Sequence, residues 1–471
     1  MSAAFPDAGA EFHPLHRDPR AIALEAGGFR HPTSPRGRGR GYTPYAELTH
    51  LSISQRALWI GTRRSVYILP RRAFTSPAGP ERLVNALIER VAHRPGGAEQ
   101  LERMAQAEEL ALQPAPLRAT WVLAGLCLGV FALQLALGTS AFEVGYFSSL
   151  LVVHGEFWRV LTSNLLHAAP QFPVHLLLNL LGLLALGALL ERPLGAARTV
   201  CVMVASALGS AAGSGWAGYS AVVGASGIVF GLAGAVLWLE VRRADQLPAW
   251  WRFPRRPLLV ILAVNAVLGL ALPFIAGAAH LGGFAAGFAA AAAVGWRGPG
   301  LRPAPTWVRA VASTAGLAVL VSLGAAGGEL FVEGDYLARH AARLAGLPRV
   351  DPIQLNDRAW LIAISPDSPP ARIEAALLLA ERAVEETGRS EPPSLDTLAE
   401  LQVLLGSREA ALATIDEAIA GAPDEPYYRE QRRRFAGERA PDDRPAPPLP
   451  GGPGPGEQPL PVDPEEPGIT V

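Results

Sequence analysis

The sequence predicts an α-helical polytopic membrane protein: six core helices plus one, with a small α+β module ahead of them and a helical-repeat region behind. Three observations carry that reading. Half of the 471 residues are hydrophobic (50%), more than one soluble domain needs. Seven runs meet or approach the roughly 20 mostly apolar residues that a spanning helix requires: 119–140, 172–190, 196–215, 222–241, 257–277, 279–296 and 307–328. Finally, arginines crowd alternate connections between these runs and avoid the others.

Residues 1–41 read as mostly disordered, and their start lacks the charged-then-apolar pattern of a cleaved signal peptide. In 42–110, "LTHLSISQRALWIGTRRSVYILPRRAF" alternates β-branched and aromatic runs with turn-like breaks, and "PERLVNALIERVAH" follows as an amphipathic helix. Strands and then a helix predict an α+β module, which faintly resembles part of a pleckstrin-homology-like bacterial domain. Its Arg63, Arg64, Arg71 and Arg72 are candidates for contact with anionic lipid on the inner leaflet, or simply a solvated face.

Orientation follows from the arginines, which accumulate in cytoplasmic connections. Arg192 and Arg198 flank one turn, Arg242, Arg243, Arg252, Arg255 and Arg256 crowd another, and Arg297 and Arg302 mark a third. The segments 216–221 and 277–279 carry no arginine, and the long connection 141–171 has only Arg159. The expected arrangement is a cell (inner) membrane protein with a cytoplasmic N-terminus and 141–171 facing out. A seventh span over 305–329 then places the rest of the chain outside. The net charge of −1 argues against bulk attraction to nucleic acid. Cys127 and Cys201 both lie in apolar runs, where neither a disulfide nor a metal site is expected.

In 335–436, "LNDRAWLIAIS" and "LDTLAELQVLLG" each open a helical hairpin completed by an alanine-rich partner, "ARIEAALLLAERAVEETG" and "SREAALATIDEAIAGAPDEP". They resemble two degenerate tetratricopeptide-type repeats, a candidate surface for an extracytoplasmic substrate or partner. The tail 437–471, dense in proline and glycine, reads as disordered.

The second, fourth and sixth spans run in one direction, and each carries unusual polar residues at its outer end: His175 and Asn179, then Ser226, then His280. Helices of one direction place their opening residues at one depth, and polar side chains within spans usually face a cavity or a partner. Gly283 and Gly287 follow His280 by three and seven residues. They leave a flat face able to press against Gly227 and Gly231 on the fourth span, bringing Ser226 and His280 within hydrogen-bond reach. No carboxylate joins them by the same logic. Glu240 lies about 21 Å below Ser226, and Glu191 about 24 Å below His175, at about 1.5 Å per residue. The loop acids Glu143 and Glu156 are not fixed near His280 by anything in the sequence. There is no His-Glu-x-x-His zinc signature and no aspartate pair within the spans.

These residues resemble the rhomboid intramembrane serine proteases over about 115–300. Gly224-Ala225-Ser226-Gly227 stands for the family's serine motif, and Ala279-His280 with Gly283 and Gly287 for its sixth-helix motif. His175 with Asn179 and the loop pair Trp158-Arg159 complete the pattern. The resemblance implies Ser226 as nucleophile, His280 as general base, no cofactor or metal, and cleavage of membrane-anchored proteins near the outer face. It further implies that His175 and Asn179, four residues apart on one helical face, support the oxyanion together with the backbone around Gly224. Phe230 stands where the family often has a tyrosine packed on the histidine; it keeps the stacking face and loses the hydroxyl. The alternative is a non-catalytic relative that binds spanning segments without cutting them.

Overall fold

A computed structural model of the chain describes residues 10–32, 40–168, 173–219, 221–253, 255–271, 275–294, 303–332, 336–347, 350–365 and 368–445. Arg297, Arg302, the outer parts of the N-terminal segment (1–9 and 33–39) and the tail from 446 lie outside the described residues.

Among the described residues, seven strands come first. β1 (Glu11–Leu15), β2 (Asp18–Leu24), β3 (Gly28–Pro32) and β4 (Arg40–Pro44) form one antiparallel sheet in chain order. β5 (Leu48–Ile53), β6 (Ala57–Thr62) and β7 (Val66–Pro70) form a second. α1 (Gly79–Ala92) repeats Leu83, Leu87 and Val91 at four-residue spacing, so all three face one way and join Ile22, Leu24, Phe29, Leu58 and Ile60 in one core. α2 (Gly97–Leu112) is tied to the junction of the sheets by Gln100, whose Nε2 donates to the carbonyls of Tyr45 (2.7 Å) and Leu48 (2.8 Å). Arg71, one of the candidate lipid contacts, donates to Glu81 at 2.5 Å.

The disorder expected over 1–41 is corrected here: three strands lie between Glu11 and Pro32, and the module begins by Glu11 rather than at 42. The reason is brevity. Each strand has only five to seven residues, and its few core side chains are interleaved with Pro, His and Arg, which blurs the two-residue alternation of a half-buried strand.

The apolar segments follow. α3 (Arg118–Leu137) leads into a connection built from α4 (Thr139–Gly145), α5 (Ser149–Val153) and α6 (Arg159–Thr162). Next come α7 (Val174–Leu194), α8 (Ala196–Trp216), α9 (Ser226–Arg242), α10 (Arg255–Ala271), α11 (Gly277–Ala293) and α12 (Thr306–Phe331). Among the described residues, α3, α7, α8 and α12 are long and apolar enough to cross a membrane. α9, α10 and α11 have 17 residues each, about 26 Å at about 1.5 Å per residue. α9 sits innermost, with α7, α8 and α11 all packed on it.

α9 starts at Ser226, four residues later than the apolar run suggests. Hydropathy does not register the difference, because Ala221–Ala225 is equally apolar but not helical. Val222 instead pairs with Phe147 through both backbone groups (3.0 and 3.1 Å), and Gly224 takes φ 116°, a conformation that side chains resist.

α12 runs the length of the bundle. Its Val308 packs with Cys201 near the start of α8, while Leu323 packs on the cluster holding Leu165 and Ala225, at the level of Ser226. Past it lie α13 (Tyr336–Ala345), α14 (Pro352–Ala363), α15 (Pro370–Glu386), α16 (Pro392–Leu404), α17 (Arg408–Gly421) and α18 (Pro426–Phe435). Four of these begin with proline, which fits the first turn because its missing N–H has no helical partner there. α14 pairs with α15 and α16 with α17; α13 packs on α15 and α18 on α17. This stack and the strand-rich module sit at opposite ends of α9, the stack beside Ser226 and the module beside Glu240.

Candidate active site

Ser226 is the first residue of α9 and His280 lies in the first turn of α11. Their placement rests on close contact between glycines. A Cβ at Gly283 would lie 2.2 Å from the Gly227 carbonyl oxygen, and one at Gly287 would lie 2.1 Å from that of Gly231. Neither distance admits a side chain, so the two helices meet backbone to backbone at these points. At that separation His280 Nε2 stands 2.9 Å from Ser226 Oγ. The His280 ring stacks on Phe230, one turn below the serine, with centroids 4.3 Å apart and planes 14° from parallel. The face of the imidazole is thereby held, and its edge is aimed at the hydroxyl.

His175, on α7, comes to the same place. The Ala168 N–H donates to its Nδ1 at 3.3 Å, which makes Nδ1 the acceptor and leaves the proton on Nε2. A Cβ at Gly224 would meet that edge of the ring, Cε1 at 2.6 Å and Nε2 at 2.8 Å, with Asn179 Nδ2 at 3.7 Å. One N–H of the Asn179 amide is committed to the His175 carbonyl at 3.0 Å; the second remains to donate. Gly224 therefore sits in a nest of donors, its own N–H bonded to the Ser163 carbonyl at 2.9 Å. A small cavity of about 10 Å³ beside it is lined by Ser163, Asn164, Ser210 and Ser214 among others.

The four acids weighed as third members are all engaged elsewhere. Glu191 caps α3 from α7, accepting from Ala119 N (2.8 Å), Thr120 N (2.9 Å) and Thr120 Oγ1 (2.7 Å), where a helix start favours negative charge. Glu240 pairs with Arg252 at 2.9 Å. Arg252, one of the arginines crowding that connection, is buried inside the protein. Glu156 pairs with Arg159 at 2.7 Å, and Glu143 with Arg358 at 3.3 Å.

Trp158 and Arg159 are not brought to the serine; they build the loop beside it. Trp158 Nε1 donates to the Val144 carbonyl (2.9 Å). Arg159, fully buried, donates to the carbonyls of Glu143 (2.8 Å) and Tyr146 (2.9 Å). Sequence reasoning missed the part played by α8. Ser206 and Ser210 pack directly on Gly231 and Gly227, and Gly209 and Gly213 meet the backbone of α11 at Gly282 and Ala278. The signal was present in "SALGSAAGS", where serines and glycines recur every four residues.

Residues 154–297 match the family model of the rhomboid domain. Putative rhomboid protease YdcA of Bacillus subtilis is 32% identical over 150 residues, a match covering 30% of this chain and 68% of that protein. The chain belongs to the rhomboid family. Rhomboid protease GluP of the same bacterium is 34% identical over 146 residues, covering 31% of this chain and 27% of GluP. RHOMBOID-like protein 1 of Arabidopsis thaliana is 34% identical over 153 residues, 31% of this chain and 37% of that one. The chain thus spans about a quarter to two fifths of the length of several rhomboid relatives.

Proposed function

We propose that this rhomboid is an intramembrane serine endopeptidase that cuts proteins anchored by a spanning helix, near the extracytoplasmic face, through a Ser226–His280 dyad. The 2.9 Å pairing of the two side chains carries the reading. Ser226 Oγ attacks the scissile carbonyl carbon as its proton passes to His280 Nε2. The carbonyl oxygen becomes an oxyanion facing His175 Nε2–H and the free N–H of Asn179, donors aimed where charge develops. His280 then gives its proton to the leaving amine, and water attacks the acyl ester by the same route in reverse. The relatives GluP and YdcA carry "protease" in their names, which supports the assignment.

The proposed topology has the strand-rich module in the cytoplasm, α12 as a seventh crossing, and the helical region outside the cell membrane, where it is available to substrate ectodomains or a partner. Purified protein in detergent tests the chemistry: it cleaves a single-span substrate and takes up a fluorophosphonate, and Ser226→Ala does neither. Equal cleavage by both proteins leaves the non-catalytic reading standing. Ser407→Cys tests the topology, through reaction with a membrane-impermeant maleimide in intact spheroplasts; reaction only after lysis places the helical region in the cytoplasm.

A further inference from the structure

The helical region does not hang from α12 on a tether. It is joined to the loop of α4, α5 and α6 by a buried polar cluster and a shared apolar core. Tyr336 donates its hydroxyl to Glu156 at 2.5 Å and accepts from Arg159 Nη2 at 3.1 Å. Arg358, on α14, donates to the Tyr146 hydroxyl and to Glu143 (3.3 Å), and Arg372, on α15, approaches Glu143 at 3.6 Å. Gln354 Oε1 accepts from the Leu150 N–H at 3.1 Å. The loop brings two acids, one arginine and a phenol to this cluster; the helical region brings two arginines and a second phenol. α14 and α15 thus supply both cationic partners of Glu143, whose side chain is mostly buried beneath them.

A short line of contacts leads on to the serine. Leu150, Leu151 and Leu166 of the loop share one core with Leu344, Leu355 and Leu379, and Val223 belongs to it as well. Tyr146 adjoins Phe147, whose backbone pairs with Val222; the Ser163 carbonyl, one turn past Arg159, holds Gly224. These are the residues immediately before Ser226.

We propose that the helical region is a brace for the loop 141–168, with Tyr336 and Arg358 as positioning residues that act through it on the backbone leading to Ser226. This rests on the protease reading for its catalytic consequence, but not for its structural one.

The test uses the full chain in detergent. Arg358→Gln and Tyr336→Phe are to slow fluorophosphonate labelling of Ser226 and lower kcat on a single-span substrate by about tenfold, with KM within about twofold, as displacement of a reacting group does. Glu143→Gln, added to Arg358→Gln, removes a carboxylate left with only the longer Arg372 contact and restores much of the labelling rate, a coupling that independent sites do not show. Arg432→Gln, which breaks an exposed pair with Asp416 in the same region, leaves the rate as in wild type. A fall in the labelled fraction at unchanged rate means that Arg358 serves folding only, and it overturns the proposal. Hydrogen exchange separates this from failure of the protease reading. Arg358→Gln speeds exchange at amides 144–166 and 222–226 whether or not the protein is labelled at all, and unchanged exchange there overturns the brace.

Discussion

The two ends of α9 are held by different regions of the chain, the helical stack at one and the strand-rich module at the other, and they are held in different ways. At the Ser226 end the chain is fixed by backbone groups, Val222 against Phe147 and Gly224 against the Ser163 carbonyl, with the charges of Glu143, Glu156, Arg159 and Arg358 one layer behind. At the Glu240 end the fixing is done by side chains. Arg252 pairs with Glu240 and donates to the Thr62 carbonyl of β6 at 2.5 Å, while His50 of β5 accepts from the Ala249 N–H at 3.1 Å. A hydroxyl that must meet an imidazole to within a few tenths of an ångström needs its backbone held from several directions. The far end of the same helix needs only to be anchored. Damage at the first end is therefore expected in the rate, and damage at the second in stability alone.

The largest effects test the first half of that contrast. On the proposed mechanism Ser226→Ala and His280→Ala each remove a reacting group, and cleavage is expected to fall to background in proteins that still insert and melt as wild type does. His175→Ala comes next: as the proposed oxyanion donor, its loss is expected to cost about 2.7–4 kcal/mol in the transition state, or about 10²–10³ in kcat, with KM little changed. Asn179→Ala costs less, because one of its N–H groups is already spent on the His175 carbonyl. Steady-state kinetics on one substrate rank the four. If Asn179→Ala changes only the melting temperature, Asn179 is a structural tie.

How much of this was legible beforehand follows from the range of each interaction. Ser226, His280, His175 and Asn179 could be set at one depth because spans of one direction carry their opening residues to one level, and the spacing of Gly283 and Gly287 announced a flat face. That information is local and periodic. The start of α9 at Ser226 was hidden because Ala221–Ala225 is as apolar as the helix it precedes. The strands between Glu11 and Pro32 were hidden because each contributes so few core residues. Arg252 was read only as one of five arginines in its connection, and its partner Glu240 was visible only after folding. The bond from Tyr336 to Glu156 joins residues 180 apart, and nothing in either neighbourhood announces the other.

The second half of the contrast is tested at Arg252. Arg252→Met leaves Glu240 buried and unpaired, which costs about 3–5 kcal/mol of stability. The expected result is a lower melting temperature, with the labelling rate of Ser226 in the folded fraction unchanged. Removal of residues 1–110, which takes away Thr62 but leaves Arg252 on Glu240, should likewise spare the rate. A rate loss in either protein would mean that α9 transmits strain along its whole length, and the two ends would no longer be distinct in function.

The smallest effect lies deepest in the helical region, at Asp396 on α16. Its carboxylate accepts from the Tyr427 hydroxyl (2.7 Å) and from Gln431 Nε2 (3.0 Å). Burial pushes its pKa from 3.8 up to about 7, aided by nearby Glu400 and opposed by the two hydrogen bonds and by Arg434. Unfolded, the group ionises near its ordinary value. Between about pH 4 and pH 7 the folded region thus holds a proton that the unfolded chain has released, and its stability falls as the pH rises through that window. The contribution is full below about 4 and gone above about 7. Thermal melting of the full chain at pH 5 and pH 8, with Asp396→Asn alongside, isolates the effect, since every other carboxylate titrates alike in both proteins. Wild type is expected to lose more stability between the two pH values than Asp396→Asn does; equal losses would show that Asp396 is ionised in the fold. The ratio of their Ser226 labelling rates should stay flat over the same range, because the polar contacts with the loop described above are made by α13, α14 and α15. A ratio that moves with pH would extend the brace through the whole stack, and it would make the Ser226 end of α9 responsive to acidity outside the membrane.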